Sequence, residues 1–375
     1  MAITFTQQPN TLNFANNPIV AKVRTTQTTA GTEKSFLRIV CKATFNDVSF
    51  SSIPDFTTEL SQPVADGGEA SFNFSDASQT ILNRMMAELD MNSDALSKSF
   101  SVNMSATFKE VWLFEGQEVE GESLSLDSIA IIPGRFTDFE MITMSDIDLE
   151  GMTSTVRRMS RKPDAGIVYK GETLIVPMLY NGVATVTNTA KVGSNQIGSS
   201  SQLLNGRSIC QSGIILSGAT EGDIVINSSH LPSMSGYYRT NTQGVHFLRF
   251  INGFGAIENI SVCTKDKLAY EVSGETYSLV QDVSVRSNDR RYAVKSQPVG
   301  VYELSSGYVP RRWAEWYVQE LFTSPMVWIQ LGGKWIPSLI EAEDDCVIYD
   351  RTKPEMPHVD FSLRLAIDGV TGISW

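Results

Sequence analysis

The chain has 375 residues, 42% of them hydrophobic and 19% charged, enough apolar material to build two or three packed domains rather than a disordered segment. Thirty Lys and Arg against 42 Asp and Glu give a formal net charge of −12, which argues against a general nucleic-acid binder. No apolar run approaches the ~20 residues that cross a bilayer, and the N-terminus shows neither the basic nor the apolar region of a secretory leader. The expectation is a protein made in the cytoplasm with no membrane contact.

Taken in chain order, the dominant signal is alternation with period two. Leu37, Ile39, Cys41, Ala43 and Phe45 share one face of a strand. Ser75-Asp76 followed by Gln79 supplies a helix start, and Ile81, Leu82, Met85, Met86 and Leu89 recur at helical spacing, predicting a helix near 76–91. Phe100, Val102, Met104, Ala106 and Phe108 form the next strand face. The acidic stretch Glu115–Glu122 reads as an interdomain linker. Asp146, Asp148, Glu150 and Gly151 imitate the start of a calcium loop, but its twelfth position, which needs a bidentate Glu, is Arg157. A solvated acidic turn is the reading adopted, with no metal.

Arg157-Arg158-Met159-Ser160-Arg161-Lys162 carries four basic residues in six, so on an acidic protein it docks nucleic acid or an acidic partner surface, another copy of the same chain being preferred, or forms a solvated loop. Strands are expected at Thr173–Val176, Asp223–Ile226, Val245–Ile251 and Val327–Leu331. Between them, Val183–Arg207 is rich in Thr, Asn, Ser and Gly and reads as a long exposed loop. Gly253-Phe254-Gly255 lacks the third glycine of a dinucleotide fingerprint and reads as a turn. Trp313, Trp316, Tyr317 and Leu321 predict a second helix near 311–322. Gly332-Gly333 predicts a tight hairpin, and Phe361, Leu363, Leu365 and Ile367 close the series.

Cys41, Cys210, Cys263 and Cys346 are scattered without metal-ligand spacing, and His230, His246 and His358 sit beside no nucleophile motif. Acidic pairs such as Asp344-Asp345 and Glu341 with Glu343 are expected by chance among 42 acids. No catalytic or cofactor-binding residue is assigned. The fold expected is mainly β, with two or three β-sandwich-like domains and two short amphipathic helices. Boundaries are placed at 1–118 for an N-terminal domain, 119–265 for a middle domain and 266–375 for a C-terminal domain.

Four phrases, Asn10–Val20, Ala70–Ala77, His246–Gly255 and Trp316–Trp328 followed by Lys334–Pro337, together resemble uncharacterised tail or baseplate proteins of Bacteroidales tailed phages and prophages. The resemblance spans most of the chain and marks no active site. It implies a structural, non-enzymatic virion protein forming a ring or collar in the tail or baseplate, akin to a distal tail or hub protein. Its partners would be copies of itself and other tail proteins. The loop and the basic segment are the expected interface, with Arg157, Arg158, Arg161, Lys162, Asn195, Gln202 and Arg207 as candidates. A carbohydrate-binding adhesin is the alternative, with Trp112, Trp328, Trp335 and Trp375 as stacking candidates. A polysaccharide hydrolase is the weakest reading, because only anonymous carboxylates could serve it.

Overall fold

The computed structural model describes residues 3–29, 32–47, 55–87, 91, 101–135, 156–279, 290–342 and 357–366. The protein is mainly β, 63% strand and 9% helix, in three lobes. The Asp146–Glu150 motif, Asp344-Asp345, Glu343, Cys346, Phe100, Ile367 and Trp375 lie outside the described residues.

The first lobe contains β1 (Ile3–Gln7), β2 (Leu12–Phe14), β3 (Val20–Thr25), β4 (Lys34–Asp47), β5 (Phe56–Pro63), β6 (Glu69–Asn73), α1 (Ser75–Ala87), β7 (Val102–Phe114) and β8 (Gln117–Ile132). A three-stranded sheet β1-β3-β6 faces a five-stranded sheet β2-β8-β7-β4-β5. The alternation in β4 and β7 is borne out: Ile39, Cys41, Ala43 and Phe45 are buried with Val102, Met104, Ala106 and Phe108. Phe72 packs on Phe108 from the opposite sheet, ring centroids 5.4 Å apart. The stripe Ile81, Leu82, Met85 and Met86 of α1 joins this core. Its first turn is held differently from the capping box expected. Ser75 Oγ donates to the carbonyl of Asn17 at 2.8 Å, and Gln79 Nε2 reaches that of Ala15 at 3.3 Å, so both tie the helix to the β2–β3 connection.

The acidic stretch Glu115–Glu122 is not a linker. Glu115 and Gly116 take φ of 50° and 79°, the geometry of a two-residue hairpin turn, and Phe114 pairs with Gln117. β8 then continues to Ile132 and holds β2 in parallel register, so the first lobe runs well past residue 118. Composition misled here because an exposed hairpin and a linker are equally acidic.

The second lobe comprises β9 (Arg157–Arg158), β10 (Gly166–Tyr169), β11 (Thr173–Val192), β12 (Asn195–Ile215), β13 (Gly222–Ser228) and β14 (Met234–Arg239), in the order β10-β14-β13-β11-β12, with β9 paired to β11. The third comprises β15 (Val245–Ile251), β16 (Ile257–Leu279), β17 (Arg290–Tyr308), α2 (Arg311–Trp316) running into a π turn at Tyr317–Leu321, β18 (Val327–Leu331), β19 (Lys334–Ala342) and β20 (His358–Leu365). Its strands close into a barrel, β15-β16-β17-β20-β19-β18, because β15 also pairs with β18. The boundary expected at 265/266 therefore falls inside β16; the barrel starts at Val245. Gly332 and Gly333, at φ of 55° and 78°, make the predicted β18–β19 hairpin. The second helix is as expected in position, with Trp316 edge-on to Phe250 at 5.6 Å.

One small core belongs to all three lobes. Leu12, Phe14, Ala130 and Ile132 of the first meet Met159, Leu179 and Ile209 of the second and Phe254 and Ala256 of the third. Each of the Leu, Ile, Met and Phe side chains contributes about 1.5–3 kcal/mol by burial, so the lobes are fastened rather than strung.

Candidate functional site

The basic segment 157–162 crosses this junction. Arg157 and Arg158 pair as β9 with Leu179 and Met178, and Met159 N donates to Pro177 O at 2.9 Å. Arg158 is half-buried; its Nη2 donates to Lys162 O at 3.0 Å, and its Nη1 lies 3.6 Å from Asp164 Oδ1. Beyond β9 the segment turns inward. The Arg161 guanidinium lies 3.9 Å above the Phe254 ring, and its Nη1 donates to Glu320 Oε1 at 2.5 Å. Glu320, whose side chain is only 3% exposed, also accepts the Gly253 N–H on Oε2 at 2.5 Å. A side chain at 253 would meet Arg161 Nη1 at 2.5 Å, which explains the glycine in that turn. Asn252 completes it, accepting the N–H groups of Phe254 and Ala256 on Oδ1 and donating from Nδ2 to Met159 O. Gly253-Phe254-Gly255 is thus the expected turn, used as a socket for Arg161.

Lys162 points into a second buried cluster. Its Nζ donates to the main-chain carbonyl of Asn259 at 2.7 Å and lies 5.9 Å from the rings of Trp313 and Trp316. Lys162 as a whole is half-buried, but its amine is walled by Glu172, Glu258, Asn259 and Trp316, all at most 3% exposed. The Asn259 side chain is pinned at both ends. Oδ1 accepts the Ile175 N–H at 2.7 Å, and Nδ2 donates to Glu172 Oε1. Because a main-chain N–H can only donate, this settles which end of the amide is oxygen. Glu172 Oε2 in turn accepts from Ser261 Oγ at 2.5 Å and from Tyr169 N at 3.0 Å. Burial holds the Lys162 amine below the usual lysine range, against the pull of Glu172 and Glu258. Burial likewise pushes the carboxyls of Glu172 and Glu258 up.

The segment expected as a loop, 183–207, is instead the middle of a hairpin whose ladder runs from Thr173↔Ile215 to Val192↔Asn195, broken only by a bulge at Ile197. Val186, Asn188, Ala190, Val192, Ile197 and Leu204 are buried, while Val183, Thr185, Thr187, Ser199, Ser201 and Leu203 are exposed. Val183 and Leu203 stand out at 70% and 68% exposure. Asn195 is exposed beside the Gly193-Ser194 turn, Gln202 is half-buried opposite Val186, and Arg207 pairs with Asn181 along the ladder. Among the described residues β12 has no partner on its other side within its sheet, although Ile197 O accepts the Ser217 N–H as the hairpin curls on itself. Arg207 is the one charged residue in β12, and the strand contains no proline. The structure therefore separates the predicted interface residues: Arg161 and Lys162 are turned inward, and Asn195, Gln202 and Arg207 sit on the hairpin.

A cleft of about 1360 Å³ opens between α1, Pro133–Arg135, the Asn252–Gly255 turn and the stretch from Gln319 to Met326. Asn16, Gln79, Asn83, Arg135 and Gln319 line it, with the Arg161–Glu320 pair at its wall. Of the tryptophans proposed for sugar stacking, Trp112 and Trp328 are buried, and the half-buried Trp335 lies beneath the Arg249 guanidinium at 4.0 Å. Cys41 and Cys210 are buried thiols pushed up to about 12 by burial, and Cys263 is half-buried. Among the described residues no cluster of His, Cys, Asp and Glu is arranged to hold a metal, and no helix is long and apolar enough to cross a membrane.

Sequence reasoning missed Glu172, Asn259, Glu258 and Glu320. Nothing local distinguishes them; each acquires its role from a residue far away in the chain.

The sequence matches no protein-family model and no curated protein. Among solved structures, calcium-binding domain CBD12 of CALX1.1 is similar over 62% of this chain and 82% of its own, at 9% identity and a TM-score of 0.19. CBD12 from CALX1.2 is similar over 64% and 100%, at 8% identity and a TM-score of 0.20. Likeness at that level carries no functional argument.

Proposed function

We propose that this chain is a structural virion protein of a tailed phage, assembling with copies of itself into a ring or collar of the tail or baseplate. The sequence resemblance motivates the reading, and one structural observation carries it: the outer edge of β12, free of charged residues from Ser199 to Gly206, beside the apolar pair Val183 and Leu203. Proteins normally blunt such edges with Lys, Pro or bulges; β12 bulges only near Ile197, and the stretch beyond it is a template for strand addition. A stretch without charge also lets chains of net charge −12 approach each other there. The polar groups at the junction, by contrast, are spent on holding loops together, which fits a load-carrying part better than a catalyst.

The test combines mass spectrometry of purified particles with native mass spectrometry of the isolated chain. Presence in virions and closed oligomers are expected. A chain that stays monomeric at high concentration and is absent from particles overturns the proposal.

A second reading, a module binding host surface glycan, draws on the amide-lined cleft, whose Asn and Gln side chains suit sugar hydroxyls. It expects glycan-array binding that is lost on Asn83→Ala and Gln319→Ala; binding unaffected by both would remove it.

A further inference from the structure

We propose that Lys162 and Asn259 join spontaneously in an intramolecular isopeptide bond, with Glu172 as the acid that releases the leaving ammonia. The groups required are all present in one dry compartment. Lys162 Nζ is the nucleophile, and it already lies 2.7 Å from the main-chain oxygen of the residue whose side chain it would attack. The electrophile is the Asn259 amide carbon. Its oxygen accepts the Ile175 N–H at 2.7 Å, a fixed donor placed where negative charge develops during addition. Its nitrogen faces Glu172 Oε1, so the leaving group points at the acid.

The step balances without an oxidant or a cofactor. The neutral amine adds to Cγ, forming the Nζ–Cγ bond and placing the electron pair on Oδ1. As Nδ2 becomes pyramidal it gains a lone pair that takes a proton from Glu172. Collapse of the adduct breaks the Cγ–Nδ2 bond and expels ammonia, and Glu172 recovers its proton from Nζ. The products are a secondary amide and one ammonia. A water-exposed lysine is protonated and inert in this role, and an exposed carboxyl is an anion; burial biases both toward the neutral forms that the reaction needs. Trp313, Trp316 and Tyr317, all buried, keep competing water away.

Glu258 is also close enough to attract the Lys162 amine, and its carboxyl is a competing electrophile. Joining there would expel water, not ammonia, so mass separates the two. The link would tie the junction segment to strand β16 across 97 residues, closing the second lobe onto the barrel by a covalent bond.

The experiment is intact-mass measurement of the denatured full chain, followed by sequencing of its proteolytic peptides. The expected result is a chain lighter by one ammonia and a branched peptide joining Lys162 to Asn259. Lys162→Arg and Asn259→Ala should each restore the linear mass and abolish the branched peptide. Glu172→Gln keeps both reactants and should slow linking about a hundredfold or more. Ammonia loss without a branch, as from a succinimide at the Asn181-Gly182 or Asn205-Gly206 steps, overturns the proposal. So does a branch to Glu258, or a folded wild-type chain whose Lys162 amine remains free to acylate. The wild-type digest decides the matter even where a variant does not fold.

Discussion

The junction around residues 157–164 and the hairpin β11–β12 use the same acidic chain in opposite ways. The junction buries ionisable groups: Arg161, Glu320, Lys162, Glu172 and Glu258 are folded in among aromatic rings. The hairpin removes charge from the surface instead, offering hydroxyls, Val183 and Leu203 over most of its outer face. A buried charge is costly unless a partner meets it, so the Arg161–Glu320 pair locks one arrangement of loops. Uncharged exposed strands lock nothing by themselves and remain open to another strand. Internal specification and outward pairing are thus assigned to different regions, and each can be perturbed alone.

The largest effect should come from treating the hairpin as the loop that its composition suggests. Deleting residues 183–207 removes Val186, Ala190, Val192, Ile197 and Leu204 from the second core, and the product should show no cooperative melting by circular dichroism. A deletion variant that still melts cooperatively would mean that the hairpin is dispensable to the fold.

At the junction, Glu320→Ala strands the Arg161 guanidinium and the Gly253 N–H, and should cost about 3–5 kcal/mol in urea unfolding. A loss below about 1 kcal/mol would move this pair to the class of weak surface bridges.

The third prediction concerns pH. Burial raises the Glu172 and Glu258 carboxyls above the value of ~4.3 they have when unfolded, so the fold prefers them protonated. Their contribution is complete below the unfolded value and is lost as pH rises through the folded values. Glu172→Gln does not titrate, so the wild type should be more resistant to urea, relative to that variant, at pH 4 than at pH 7. An equal gap at both pH values would show that Glu172 titrates normally.

The smallest change in stability, within about 0.5 kcal/mol, is expected for Leu203→Lys, because the side chain is 68% exposed. Under the proposed function its effect on assembly should be severe, read as loss of oligomer by sedimentation. Unchanged oligomers would place the contact elsewhere.

Much of the fold was legible because half-buried strands print their burial directly onto alternate positions. Leu37–Phe45 and Phe361–Leu365 show it plainly, and the glycine pair at 332–333 marked its turn without help from the rest of the chain. The β11–β12 hairpin hid because several of its inward positions are small or polar and interrupt the apolar alternation of Val186, Val192, Ile197 and Leu204. Ala184, Ala190 and Gly198 look like loop residues, and the buried Asn188 donates from Nδ2 to Ser212, 24 residues away. The basic segment hid its destination for a similar reason. Arg161 meets Glu320 across 159 positions and Asn259 meets Glu172 across 87, and no local pattern encodes such pairings. Among 42 acidic residues, those that matter are distinguished only by what the fold brings to them.

The parallel pairing of β2 with β8 carries a consequence for the order of events during synthesis. Leu12 waits for Ala130, so the first lobe cannot close its second sheet until some 120 residues have emerged from the ribosome. Even then Leu12, Phe14 and Ile132 remain an uncovered greasy patch until Met159, Leu179, Ile209 and finally Phe254 arrive. For that interval the nascent chain is sticky, and a pause in translation before Phe254 would favour clumping over maturation.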